Sequence, residues 1–386
     1  MGILDKKKKS MTLDEVSTKL EELRLPTALV FTPLNLEVER KKFFNSDIYS
    51  PYFKYRIVKN SNEKILQELS KVEEISDIDP RVSQFYVDLI KSKGQTNELM
   101  NAVGNNLRVS EISKERFGIP SEKLYRNACR VLRGTFNNYK LIKNPSLKKE
   151  PLLDFNDIVN VFDLVFEELG LSDWQVYKSQ NMAKNGMKVG IKRKQILVNP
   201  EIHKSRFKLK KSIVHEVGTH VLRSINGFNT NFSALGNANL PSYLDIEEGL
   251  ATYNESDMGL LTETGLKKKA ALVFAIKNGE QMTFRELYNC LLGIFPKYAA
   301  FDIVYRVKRG LADTAKPGIY TKDIVYFRGF RRVKNSLEKD NSLYNKLYSG
   351  KISLKQVSWV EEGLIPKAKI VPSKEMWTKI FKKAGL

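Results

Sequence analysis

Two histidines that stand five residues apart constrain this chain more than any other feature of its sequence. His215 and His220 are two of the three histidines among 386 residues, and Glu216 directly follows the first. On a regular α-helix, residues five positions apart point about 140° away from each other and cannot face one ligand. In a π-type turn they return to one face. Gly218 lacks a Cβ and eases such a distortion. We therefore predict a bulged helix here.

The residue types at this position are those of a catalytic zinc site. Imidazole is a common zinc ligand, and a carboxylate beside the metal can take a proton from water. Two histidines, a glutamate and one further oxygen ligand would leave the fourth position of the metal open. The sequence thus predicts a zinc peptidase with His215 and His220 as ligands and Glu216 as catalytic base.

The third ligand must come from another segment. His203 lies in a polar connection and is a poor candidate, whereas residues 245–251 contain adjacent Glu247 and Glu248. These two point about 100° apart on a helix, so only one can face a given metal. The Glu-Gly-Leu-Ala sequence at 248–251 resembles the Glu-Gly-Phe-Ala of gluzincin aminopeptidases, whose glutamate binds zinc, and this resemblance favours Glu248. A second Glu-Glu-Gly-Leu at 361–364 precedes a proline, and we interpret it as a helix end.

Together these segments resemble the microtubule-associated tyrosine carboxypeptidase family and its bacterial relatives with a Gln-Glu-Gly-Leu-Ala motif. The similarity extends over residues 30–366, with further matching pieces at 32–35, 37–44, 50–55 and 320–329. The resemblance implies a zinc metallopeptidase, and eukaryotic members remove the C-terminal tyrosine of α-tubulin. It implies zinc bound by His215, His220 and Glu248, with Glu216 as base. Glu247 stands where relatives often have glutamine.

We expect a zinc carboxypeptidase that removes a C-terminal residue, aromatic by the resemblance, from a polypeptide. A zinc endopeptidase and a non-enzymatic basic binding protein with a structural metal site are the alternatives. Glu216 argues against the last, because a purely structural site closes with four ligands and needs no base.

An exopeptidase must recognise the free carboxylate of its substrate, and arginine does so best through its forked guanidinium. Arg223 is the first candidate, because it lies seven residues after Glu216 and about 20° from it around a helix. Lys322, Arg328 and Arg331 are the others, in the downstream segment that resembles the family.

The net charge of +21 favours acidic partners, whether nucleic acid, an anionic membrane or an acidic polypeptide, although lysine-rich solvated helix faces would also explain it. For a carboxypeptidase, the acidic partner would be a polypeptide tail. The lysine clusters are scattered and lack the aromatic interleaving and motifs of nucleic-acid binders, so nucleic acid is not the expected partner. No run of 18 apolar residues is present, which predicts no membrane span. The lysine-rich start up to Lys9 lacks a secretory hydrophobic core, so we expect a cytoplasmic enzyme.

The expected fold is α+β: a mainly helical, zincin-like metallopeptidase with a small twisted sheet beside the bulged zinc-binding helix. Residues 1–150 are predicted as a helical N-terminal part packed on the catalytic domain, and residues 151–386 as that domain, with a linker at 145–151. A helix is expected at 61–75 and strands at 171–178 and 188–199. The last is predicted to be the sheet edge beside the cleft, where an extended peptide can add as another strand.

Overall fold

The computed structural model describes residues 9–58, 61–137, 139–143, 150–180, 186–237 and 240–386. Lysines 6–8 and most of the predicted linker lie outside these ranges. Among the described residues, helices dominate and the strands are short, which confirms the predicted α+β class. In the described part of the chain, no helix combines the length and apolar character needed to cross a membrane.

Strands and α-helices are numbered in chain order. The strands are β1 (Lys9–Met11), β2 (Val72–Ile75), β3 (Gln175–Lys178), β4 (Met187–Gly190) and β5 (Gln195–Val198). The helices of the N-terminal half are α1 (Leu13–Glu22), α2 (Thr27–Val30), α3 (Leu36–Phe44), α4 (Glu63–Leu69), α5 (Pro80–Asn101), α6 (Asn106–Phe117), α7 (Glu122–Leu132), α8 (Phe155–Glu168) and α9 (Arg206–His215). The others are α10 (Leu222–Phe228), α11 (Pro241–Asp257), α12 (Glu263–Asn278), α13 (Phe284–Leu292), α14 (Lys297–Lys308), α15 (Ile324–Lys339), α16 (Leu343–Leu347), α17 (Val357–Glu361) and α18 (Lys374–Lys383).

Internal contacts divide the chain into two compact units. The first unit falls within Met1–Thr135, Asn239–Pro241 and Lys267–Phe327, and the second within Phe136–Ala238, Ser242–Leu266 and Arg328–Leu386. The first unit therefore includes a stretch that the sequence-based division had assigned to the catalytic domain. Whether residues 1–150 form a separate part stays a prediction.

The first unit is built from helices around an aromatic core. Phe43 lies at its centre and makes edge contacts with Phe284 and Phe301. The helix predicted at 61–75 is wrong in its second half, because α4 ends at Leu69. Strand β2 follows and pairs in parallel with β1. A partner strand distant in sequence overrides the local helical preference of this segment.

The second unit contains a three-stranded sheet in the order β3-β5-β4. Strand β5 pairs in parallel with β3 and antiparallel with β4. The stretch predicted as one strand at 188–199 instead turns back through a short 3-10 helix at Ile191–Arg193 and a left-handed Lys194. The prediction that this whole stretch forms the edge is wrong, because β5 is paired on both sides. Within this sheet, β4 and β3 form the edges.

Candidate metal centre

The helix with the two histidines is bulged, as predicted. Helix α9 ends at His215, a π-helical turn follows from Glu216 to Val221, and α10 continues directly from it. The wider turn brings both imidazoles to one side, with ring centroids 5.0 Å apart between His215 and His220. Edge strand β4 contacts this turn.

Side chains of α11, of α18 and of Tyr348, which follows α16, hold the π turn. A Cβ on Gly218 would lie 2.9 Å from the ring of Trp377, so this glycine is required for close packing as well as for flexibility. The Tyr348 hydroxyl donates to the Gly218 carbonyl at 2.8 Å. Asn254 donates to Tyr348 at 2.7 Å and to the Thr219 hydroxyl at 2.8 Å. Buried hydrogen bonds of this kind satisfy backbone groups that a distorted helix leaves without regular partners.

Helix α11 carries the second half of the site and crosses α15 at two glycines. A Cβ on Gly249 would lie 2.4 Å from the Gly329 backbone, and one on Gly329 would lie 2.0 Å from the Asp245 carbonyl oxygen. The same crossing is fixed by Arg328, which donates to the buried Asp245 carboxylate at 2.8 and 2.9 Å. Gly249 follows Glu248, so this contact sets where Glu248 lies.

Replacing Gly329 by alanine is expected to destabilise the protein by about 3 kcal/mol, because backbone cannot move aside as a flexible side chain can. Thermal unfolding measures the loss. Gly94→Ala is the matched control: it lies inside α5 with no atom within 4 Å of its added Cβ. There alanine should raise stability by up to about 1 kcal/mol. An unchanged midpoint for Gly329→Ala would contradict the close crossing.

His215, His220 and Glu248 come together as a candidate metal site. Each offers one ligand atom, and these atoms lie within 4.8 Å of one another. His215 Nε2 is 3.6 Å from Glu248 Oε2. Two ligands of a tetrahedral zinc ion, each about 2.0–2.1 Å from it, lie roughly 3.4 Å apart. The donor set and the separation between His215 and Glu248 therefore fit zinc.

Each histidine is oriented by a carboxylate on its other ring nitrogen. His215 Nδ1 lies 2.8 Å from Glu255 Oε1, and His220 Nδ1 lies 2.8 Å from Glu247 Oε1. An ionised carboxylate accepts the Nδ1 proton, which leaves Nε2 as the ring nitrogen that would bind a metal in exchange for a proton. Glu247 and Glu248 thus have different tasks: one orients a ligand and the other is placed to be one.

Glu247 lies in a buried cluster of charges. Lys351 donates to it at 2.5 Å, and the Arg223 guanidinium donates to its other oxygen. Burial alone would raise the pKa of Glu247, but the charges of Lys351 and Arg223 outweigh it and hold the pKa well below the usual value. The carboxylate therefore stays ionised and available to His220.

The electrostatic potential at His215 favours a cation. Burial alone would lower the pKa of His215, but the Glu248 and Glu255 carboxylates outweigh it and raise the pKa to about 10. Carboxylates that attract a proton to this imidazole would equally attract a metal ion.

Glu216 begins the π turn and lies next to the candidate ligands. Its side chain is half-buried, and among the described residues its carboxylate forms no ion pair. Burial by itself lowers the pKa of both His215 and Lys204, and the negative charge of Glu216 acts in the opposite direction on both. The role of Glu216 as a general base stays a prediction.

The structure gives the four predicted substrate-binding cations different surroundings. Arg223 is fully buried, and its guanidinium donates to Glu247 and to two backbone carbonyls. The prediction that it binds the substrate does not fit this position, because no face of the guanidinium reaches solvent. Arg328 binds Asp245, and Arg331 donates to the Tyr139 hydroxyl at 2.9 Å.

Lys322 belongs to the first unit. Its role in substrate binding stays a prediction, as do those of Arg328 and Arg331.

The sequence did not predict the hydrogen-bond partners of the candidate metal ligands. Glu255 follows Glu248 by seven residues, which places both on one face of α11, and that spacing was the available signal. Lys351 and Tyr348 come from a distant segment. No local pattern indicated them.

Comparison with known proteins decides the family. The model of the family described as microtubule-associated tyrosine carboxypeptidase matches residues 41–380. The chain belongs to this family. It is 26% identical over 367 residues to a Mus musculus protein named putative tyrosine carboxypeptidase MATCAP2, covering 93% of this chain and 60% of that relative.

Two human relatives align over shorter segments. Putative tyrosine carboxypeptidase MATCAP2 of Homo sapiens is 32% identical over 124 residues, which is 31% of this chain and 23% of the relative. Microtubule-associated tyrosine carboxypeptidase 1 of Homo sapiens is 31% identical over 123 residues, which is 31% of this chain and 26% of the relative. The chain therefore spans less than two thirds of the length of these relatives.

Proposed function

We propose that this chain is a zinc-dependent carboxypeptidase that releases the C-terminal residue of a polypeptide. The observation that carries the proposal is the convergence of His215, His220 and Glu248 beside Glu216 in a family member. The relatives are named as tyrosine carboxypeptidases, and we propose an aromatic C-terminal residue for this chain on that ground.

The residues divide the chemistry among them. His215, His220 and Glu248 would hold zinc, which when bound supplies a Lewis acid that polarises the scissile carbonyl and acidifies water. Glu216 takes the proton of the attacking water and passes it to the leaving amine. Glu247 and Glu255 keep the imidazoles in the orientation that metal binding requires.

Edge strand β4 provides a place for the substrate main chain. Its outer side carries no strand partner within the described sheet, and it contacts the π turn that carries Glu216. An extended peptide can add to such an edge through backbone hydrogen bonds. We propose that the substrate binds along β4.

A pair of peptides ending in Glu-Glu-Tyr, one free and one amidated at its C-terminus, tests the proposal. We expect release of tyrosine from the free peptide, and about 10- to 100-fold lower kcat/KM for the amidated one, because a charge-assisted hydrogen bond is lost. Mass spectrometry identifies the products. Cleavage of both at equal rates, or at internal bonds, would indicate an endopeptidase instead.

The acidic character of the substrate is tested by salt. With a net charge of +21, the chain attracts acidic peptides, and this attraction is screened as ionic strength rises. We propose that acidic tails are preferred, so kcat/KM for the Glu-Glu-Tyr peptide should fall with salt more steeply than that for a peptide ending in Gln-Gln-Tyr.

A further inference from the structure

A carboxypeptidase needs a cation that binds the terminal carboxylate of its substrate. Arg223, the first candidate from the sequence, is buried against Glu247. Arg223 is 0% exposed and is occupied by Glu247 and two carbonyls. If the proposed function is correct, another cation must therefore bind the C-terminal carboxylate of the substrate.

The chemistry restricts where that cation lies. Glu216 protonates the leaving amine, so the leaving residue lies beside it. In a single released residue, the amine and the carboxylate are attached to the same Cα. Adding a hydrogen bond at each end, the binding cation lies within roughly 9 Å of the Glu216 carboxylate.

Lys204 is a cation that the structure holds on the helix face of Glu216. It lies between β5 and α9, and its backbone is fixed by hydrogen bonds with Leu153 in both directions, at 2.8 and 3.0 Å. Its ammonium donates to the Ser212 hydroxyl at 2.7 Å. Ser212 precedes Glu216 by four residues, so both lie on one face of the helix. The lysine side chain is therefore held on the face that carries the base.

The ammonium of Lys204 is charged and has donors to spare. In the described part of the chain, it forms no ion pair with Glu216, and Ser212 is the partner of its side chain. An ammonium has three hydrogens to donate. Burial lowers the pKa of Lys204 to about 8, against the opposing effect of Glu216, so the charge is kept at neutral pH.

Three other cations near the candidate metal site are paired with acids. Lys211 lies 3.1 Å from Glu255 Oε2. Lys351 and Arg223 both bind Glu247. An incoming carboxylate would have to compete with a buried glutamate for any of these three, whereas at Lys204 it would meet a side chain held by a neutral hydroxyl.

We propose that Lys204 binds the terminal carboxylate of the substrate and thereby confines cleavage to the last peptide bond. In this arrangement Ser212 holds the ammonium at a fixed distance along the helix from Glu216. One residue of the substrate would then lie between the scissile bond and the carboxylate bound by Lys204. At an internal bond, the residue after the scissile bond has no free carboxylate for Lys204 to bind. The rest of the peptide would instead lie against Lys204.

The proposal is tested by comparing Lys204→Met with Lys355→Met. Lys355 is an exposed lysine in the short 3-10 helix Leu354–Gln356, so both variants lose one positive charge. For the free Glu-Glu-Tyr peptide, we expect Lys204→Met to raise KM about 10- to 100-fold with a smaller change in kcat. Its preference for the free over the amidated peptide should disappear. Lys355→Met should match wild type, and Lys204→Arg should restore part of the preference.

Binding without turnover gives a second measurement. In the zinc-loaded Glu216→Gln protein, fluorescence anisotropy reports the affinity of the labelled free and amidated peptides. Adding Lys204→Met should weaken only the free peptide, again about 10- to 100-fold. Zinc content and thermal midpoint should stay unchanged, which separates loss of recognition from loss of structure.

The outcomes distinguish this proposal from the one on which it rests. If wild type cleaves the free peptide preferentially and Lys204→Met keeps that preference, Lys204 is not the binder and the carboxypeptidase proposal stands. If no peptide is cleaved but binding still prefers the free peptide through Lys204, recognition stands and catalysis fails. Equal binding of both peptides by the Glu216→Gln protein would overturn the role of Lys204.

Discussion

Replacing Glu216 by glutamine is expected to reduce kcat about 10²- to 10⁴-fold while zinc content and fold stay unchanged. Glutamine has nearly the same shape as glutamate but cannot accept the proton of the attacking water. Glu216 forms no ion pair among the described residues, so its replacement leaves no buried charge unpaired. The side chains that hold the π turn around it are also untouched.

Kinetics with the free Glu-Glu-Tyr peptide, together with metal analysis and circular dichroism, measure these effects. Glu375→Gln is a suitable control, because Glu375 is an exposed glutamate in the first turn of α18. It should behave as wild type. Activity of Glu216→Gln within about tenfold of wild type would show that another residue acts as the base, since a general base contributes at least 100-fold.

The bulged helix was predictable because its cause is local. Two ligands five residues apart can share a metal only if the helix widens between them, and helical geometry alone gives that result. The sequence predicted that Gly218 eases the bulge, but not that it packs against another side chain. Its contact with Trp377 joins segments far apart in sequence, and no periodicity within either one indicates it.

The order of the strands in the three-stranded sheet also depends on contacts between segments that are separate in sequence. The β-rich character of residues 188–199 was visible in the sequence, but the strand order was not. Strand β5 is central because β3 pairs with one side of it and β4 with the other. Which strand forms an edge depends on all partners at once, and a single segment carries no information about them.

Arg223 shows that a helical angle predicts the direction of a side chain but not its surroundings. The helical spacing from Glu216 was a sound estimate of direction, but not of what lies opposite. Glu247, the Leu347 carbonyl and the Ile352 carbonyl surround the guanidinium and bury it completely. Long-range contacts of this kind are decided by the packing of three segments.

Removing any one of the three candidate ligands is expected to lower zinc affinity more than about 100-fold, since changes to the residues that merely orient ligands already cost 10- to 100-fold. Wild type should bind one zinc ion per chain. His220→Ala leaves two ligands, and Glu248→Ala removes the oxygen that lies 3.6 Å from His215 Nε2. Glu248→Gln keeps the shape of the side chain and separates loss of the charge from loss of packing.

Metal analysis after dialysis against a weak chelator measures the occupancy, and circular dichroism confirms that each variant is folded. Glu362→Ala is the matched control, because it alters the second Glu-Glu-Gly-Leu segment. There α17 ends at Glu361, and Gly363 has a φ of +76°, which confirms the predicted helix end. Glu362→Ala should keep full occupancy. Full occupancy in Glu248→Ala would instead remove this residue from the ligand set and direct the search to Glu247, whose carboxylate already lies 2.8 Å from His220 Nδ1.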